Sequence, residues 1–314
     1  MNIRMMAAAA LGAALFVWTV ASVGMATLAS QINQLGIMLP LVLTLAAVRF
    51  ALQAAGWRIA MGSSPRPTMA QTLRAVVAGE AAGYLTWGPI SREPVKVLMV
   101  SEHTPERVSL AAAIVERVAY MAAAAGLVVL SLVLVAVRAN RAGDPFILGW
   151  PWLLSGIAGA IVVGGLWFGV KRRMPEFARN GKWRAKVAGY ASMSPGAIMA
   201  LVMCAVLQEL INVMETYVVL AWLGATPTLE TAIALEGLNR LANAPAQLIP
   251  GKLGVLELAG SAFAGILQLG SANGLTLVLA RRVRSLTWTG VGILLLTTSA
   301  SRARTVRREP VIIG

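Results

Sequence analysis

The stretch QLIPGKLGVLELAG, residues 247–260, decides how this chain is read. A Pro-Gly pair, a Lys, a second Gly and a Glu stand inside a chain that is 58% hydrophobic and only 13% charged, where helix breakers and charges are both expensive. Pro250 lacks an amide hydrogen and Gly251 permits a positive φ, so the backbone can reverse there. Gly254 lets another backbone approach closely. The helix that resumes beyond the turn begins with unpaired amides, a place that favours an anion by geometry and dipole together, and Lys252 would sit over it. Glu257 falls in the first turn of that helix, where its charge suits the dipole. It is either a simple cap or a counter-ion for Arg240, Arg282 or a cationic group.

Such a turn makes sense only in a particular setting. The 314 residues have a mean hydropathy of +0.73, which is more apolar surface than one soluble core can hide. Several apolar stretches reach the roughly 20 residues that a helix needs to cross hydrocarbon, and no short alternating segments suggest a barrel. The expected fold class is therefore an all-α polytopic membrane protein. The formal charge of +14 would point to nucleic acid in a soluble chain. Here the excess sits mostly in two blocks, KRRMPEFARNGKWRAK (171–186) and RARTVRRE (302–309), which beside apolar spans are the positive-inside signal. Nucleic acid is not an expected partner. One cysteine, Cys204, and one histidine, His103, give no basis for a disulfide or a zinc site. No phosphate-binding glycine loop, metal triad or nucleophile motif is present, so neither an ATP-driven pump nor an enzyme is expected, and no cofactor.

The plain spans are roughly 5–28, 37–60, 108–137, 152–170 and 196–223, with a last helix at about 274–300. The apolar run near the amino terminus is longer than the core of a cleaved signal peptide and is kept as a span. Two regions resist. VVAGEAAGYLTWGPISREPVKVLMVSEH, 76–103, is interrupted by Glu80, Gly83, Gly88, Pro89, Arg92, Glu93, Pro94 and Lys96. Residues 229–269 carry Glu236, Asn239, Arg240, Asn243, Pro245, Pro250, Gly251, Gly254 and Glu257. Irregular backbone at membrane depth is tolerated only where it is buried in protein or lines a wet cavity, so both regions are expected to be re-entrant helical hairpins. If 252–270 were instead a full crossing, the basic tail would end outside. The positive-inside rule therefore prefers six spans and two hairpins, with both termini, the basic loop 171–195 and the tail 301–314 in the cytoplasm.

The halves 37–137 and 196–300 echo one another, with Glu80, Gly88-Pro89, Glu93 and Arg117 answering Glu236, Pro250-Gly251, Glu257 and Arg282. Hairpins opening to opposite sides would make the duplication inverted, an arrangement that builds sites reachable from alternate sides. Glu116 and Arg117 lie about ten residues into a span, and Arg282 lies well inside the last. Charges at that depth usually face the bundle interior, although snorkelling and plain helix-to-helix pairing are the competing explanations. Glu209, Asn212 and Glu215 share one broad helix face.

At AGEAAGYLTWGPISREPVKV with AAAIVERVAY, and again at ALEGLNRLANAPAQLIPGKLGVLE with LARRVRS, the sequence resembles the lysylphosphatidylglycerol synthase transmembrane, or flippase-like, family. The second block, with LQELINVMETYVVLAWLGA ahead of it, is most similar to the branch associated with hopanoid biosynthesis. The resemblance implies a single transmembrane domain over 1–314, in a bacterial inner membrane, that moves lipids or lipid-linked molecules between leaflets or accompanies their synthesis. The cytosolic aminoacyl transferase of two-part members is not expected here. The expected site comprises Glu80, Arg92, Glu93, Glu116, Arg117, Glu236, Arg240, Pro250, Gly251, Lys252, Gly254, Glu257 and Arg282. Arg117, Lys252 and Arg282 would hold the phosphate of an anionic headgroup, with Glu80, Glu236 and Glu257 balancing them or binding a cationic group. The first hairpin reads GPISREPVK where the family more usually has an acidic-Arg arrangement after a glycine pair. A scaffold for lipid-biosynthesis enzymes is the alternative function, and a homo-oligomer is left open.

Overall fold

The computed structural model describes residues 33, 35–62, 64–86, 89–142, 193–246 and 255–306. The expected spans 5–28 and 152–170 lie outside the described residues, as do nearly all of the basic loop, the tail beyond residue 306, and Gln247 to Gly254 with the Pro250-Gly251 turn, Lys252 and Gly254. What is described is helical throughout, in the order α1 (Met38–Ala60), α2 (Met69–Leu85), α3 (Pro89–Val100), α4 (Glu106–Ala142), α5 (Pro195–Trp222), α6 (Leu229–Ala246), α7 (Val255–Ile266) and α8 (Ser271–Val306).

Local chemistry sets several of these boundaries. Thr68 opens α2 with a reciprocal capping box: its side chain accepts from the Gln71 amide at 3.3 Å, and Gln71 Oε1 accepts from the Thr68 amide at 2.7 Å. Thr68→Ala should lower stability by about 1 kcal/mol, seen as a lower Tm and faster amide exchange in the first turn of α2. Ser194 caps α5 with Pro195 at its first position, and Gly224, at φ +81, lets the chain leave its far end. Helix α2 ends at Leu85 and α3 begins at Pro89. Pro94, counted above among the interruptions, is carried inside α3. At the sixth of twelve positions it removes one backbone hydrogen bond, and the helix continues through it.

Three helices among the described residues are long and apolar enough to cross a membrane: Met38–Ala60, Glu106–Arg138 and Pro195–Trp222. The exposed faces of α4 and α5 are apolar as well. Val118, Met121, Val129, Leu130 and Val133 stand bare on one, and Ile198, Met199, Val202, Met203, Leu210 and Met214 on the other. Apolar faces of this size suit acyl chains and not water. At 12 residues each, α3 and α7 extend about 18 Å, too short to cross the hydrocarbon alone.

The helices fall into two compact units, one within Met1–Leu110 and Leu279–Gly314, the other Ala111–Val278. Small residues make the joints within each. In the first, α8 packs on α2 at Gly292, where a Cβ would stand 2.5 Å from Ala81 Cβ and 2.7 Å from the Val77 carbonyl oxygen. In the second, Gly237 of α6 lies against Ser131 and the Leu127 carbonyl of α4, and Ser131 Oγ donates to the Ala234 carbonyl at 2.6 Å. Helix lengths run 23, 17, 12 and 37 residues over α1 to α4, and 28, 18, 12 and 36 over α5 to α8.

Candidate functional site

The second unit gathers a polar network around Arg240. The (i, i+4) spacing on α6 brings Glu236 Oε1 to 3.3 Å from its Nε, while Glu209 Oε2 of α5 lies 2.9 Å from its Nη2. Its Nη1 donates to the Tyr120 hydroxyl of α4 at 2.7 Å. Thr216 Oγ1 donates to Glu236 Oε2 at 3.0 Å. The carboxylate side chains are 5% and 3% exposed, so one guanidinium is shared by two buried carboxylates. The Tyr120 ring carries Arg240 at 5.7 Å on one count and Arg117 at 5.1 Å on another, both within cation–π reach. Along α5, Gln208, Glu209, Asn212, Glu215 and Thr216 are all buried, which puts the three expected polar positions on one face. Inside a helix that is otherwise membrane-apolar, that face is polar for nearly two turns.

The first unit holds a different set. Arg92 of α3 is ion-paired with Glu80 of α2 across the helix pair. One turn on, Lys96 is fully buried, its Nζ 2.8 Å from Glu93 Oε2 and 4.8 Å from the centre of the Trp57 ring. Gly79 makes room for it: a Cβ there would come within 2.6 Å of Lys96 Cγ. Trp57 Nε1 donates to the Ser109 carbonyl at 2.9 Å, which fixes the ring. A small cleft beside Glu80 is lined also by Arg49, Tyr84, Arg284 and Trp288.

Of the expected residues, then, Glu80 and Arg92 meet, Glu93 pairs with Lys96, and Glu236 pairs with Arg240. Glu116 is buried in α4, Arg117 lies on Tyr120, and Glu257 is half-buried in the first turn of α7. Of the expected phosphate trio, Lys252 lies outside the described residues with Pro250, Gly251 and Gly254, Arg117 belongs to the second unit, and Arg282 is buried in the first. Lys96, Tyr120, Thr216 and Arg49 were not singled out from the sequence. Arg49 had a signal: it is the central residue of α1, a helix long and apolar enough to cross a membrane. Tyr120 had a weaker one, three residues after Arg117 on the same helix face.

Long apolar helices with bare apolar faces define a multi-pass membrane protein. The model of the lysylphosphatidylglycerol synthase TM region matches residues 5–293, and the chain belongs to that family. The matched unit is the membrane region, not a catalytic domain. No curated protein and no solved structure matches the chain.

Proposed function

We propose that this protein is a lipid translocase that works without ATP hydrolysis, moving a phospholipid or lipid-linked molecule between leaflets of the inner membrane. The observation that carries this is the Arg240 network: two buried carboxylates and a buried hydroxyl joined to a part-buried guanidinium and phenol, among helices whose outer faces suit lipid. Ionic groups at such depth are costly, and a plain packing role would be met more cheaply by apolar side chains. A polar path of this kind lets a headgroup cross while its tails stay in the hydrocarbon. The two short helix pairs, α2 with α3 and α6 with α7, are the re-entrant elements of this proposal. The recurring order of helix lengths supports an inverted repeat in which they open to opposite sides. Both termini are assigned to the cytoplasm by the basic blocks.

The test is headgroup accessibility in liposomes. Reconstituted protein should make a fluorescent-headgroup phospholipid of the inner leaflet reachable by a membrane-impermeant quencher far faster than in empty liposomes. Arg117→Gln, which removes a guanidinium from the Tyr120 face and leaves the Arg240 pairs in place, should slow this about tenfold, the scale of one charge-assisted contact. Wild-type liposomes that exchange no faster than empty ones would sink the proposal.

A further inference from the structure

We infer that the cleft of the first unit is a binding site for a phosphate oxyanion, separate from the Arg240 network. Arg49 and Trp288 both line it. Arg49 Nε and Trp288 Nε1 are each buried and, among the described residues, without a hydrogen-bond partner. A buried donor left without an acceptor costs about 1–3 kcal/mol, so two of them on one cleft call for a shared acceptor. The charges lining the cleft select its sign. Arg49 and Arg284 stand against one carboxylate, Glu80, which is itself paired with Arg92.

The donors are held in place by packing. The Arg49 guanidinium lies 4.8 Å over the Phe50 ring, and that ring meets Trp288 edge-on, with centroids 5.2 Å apart and planes at 80°. A cavity volume of about 10 Å³ is room for one oxygen-sized group. One phosphoryl oxygen would enter and accept from both donors, with the rest of the phosphate at the open side. Arg49 is central in a helix long enough to span the membrane, so the cleft is at mid-depth, where an arginine without a task is rare.

The two units place their polar sites alike. Each uses the helix before a short pair, the first helix of that pair and the long helix packed on it: Arg49, Glu80 and Arg284 in one, Glu209, Arg240 and Tyr120 in the other. The signs are exchanged between them, with a cation on α1 and an anion on α2, and the reverse on α5 and α6. The inference takes from the translocase proposal only its membrane setting.

Binding to the full-length protein in detergent tests it, read as the ligand concentration that gives half-maximal thermal stabilisation. No lipid crosses a bilayer in this assay, so it can fail with translocation intact and succeed where translocation is absent. The probes are phosphatidylglycerol, inorganic phosphate, and digalactosyldiacylglycerol, which has no phosphate. Phosphatidylglycerol should stabilise the wild type, and Trp288→Phe and Arg49→Gln should each raise the half-maximal concentration about tenfold. Trp288→Phe keeps an aromatic ring on Phe50, and Arg49→Lys serves if Arg49→Gln does not fold. Stabilisation by inorganic phosphate as well assigns the site to the free ion, and by the lipid alone to the headgroup; either supports an oxyanion site. An equal response to the galactolipid, or unchanged half-saturation in the variants, means that the cleft holds only water and overturns the inference.

Discussion

Replacing Arg240 by Met should lower the thermal midpoint of the purified protein sharply, whereas the triple variant Arg240→Met, Glu209→Gln, Glu236→Gln should recover much of the lost stability. The asymmetry follows from what each change leaves behind. In the single variant Glu209 and Glu236 remain buried with their shared cation removed, and breaking a buried pair in this way costs about 3–5 kcal/mol. The triple variant removes the carboxylate charges together with their partner, and neutral amides carry a far smaller penalty. Tyr120 and Thr216 then lose charged partners but can bond to the new amides. Thermal midpoints of the wild type, the single and the triple variant in one detergent decide the matter. If Arg240→Met is as stable as the wild type, the network is not held together as described. If the triple variant is folded yet moves no lipid, the ions are there for function and not for the fold.

Gly274→Leu should be as damaging for a purely steric reason. At the start of α8 a Cβ on Gly274 would run into the Gly260 carbonyl oxygen and Ala264 Cβ of α7, and Gly260 in turn is closed over by Val278. The obstruction is backbone, which cannot rotate away as a flexible side chain could. The cost should therefore exceed the usual 1–3 kcal/mol or so of an overpacked core. Even Gly274→Ala should lower the Tm. Gly290, in the same helix, has nothing within 4 Å of a built Cβ, so Gly290→Ala should be neutral or slightly stabilising through helix propensity alone. A Gly274 variant with wild-type stability beside a neutral Gly290→Ala would show that α7 and α8 do not meet at this distance.

The long apolar elements were legible because hydropathy and length are local properties. The expected span 37–60 is helix Met38–Ala60, and 196–223 is helix Pro195–Trp222. The start of α3 at Pro89 and the placing of Glu257 in a first turn are equally local, since each follows from what Pro or an acidic side chain does to its own few residues. What escaped was whatever depends on partners distant in sequence. Glu236 and Arg240 could be named, but not that Tyr120, from more than a hundred residues earlier, would close the set. Lys96 read as an interruption of an apolar stretch, and only the space above Gly79 and the Trp57 ring explain how its stem and charge are both accommodated. Arg49 escaped for a different reason: it is one of two arginines in an apolar span, and no helix breaker or neighbouring charge in the sequence drew notice to it.

The joint between Gly292 and the Val77–Ala81 turn of α2 also dictates an order of events during synthesis. Those α2 residues leave the ribosome first, and the surface that covers them follows only about two hundred residues later. Throughout elongation the nascent α2 must be sheltered by something else, whether lipid, the insertion machinery or a membrane chaperone. A chain that stalls before α8 is complete would thus be marked for disposal by the uncovered patch itself.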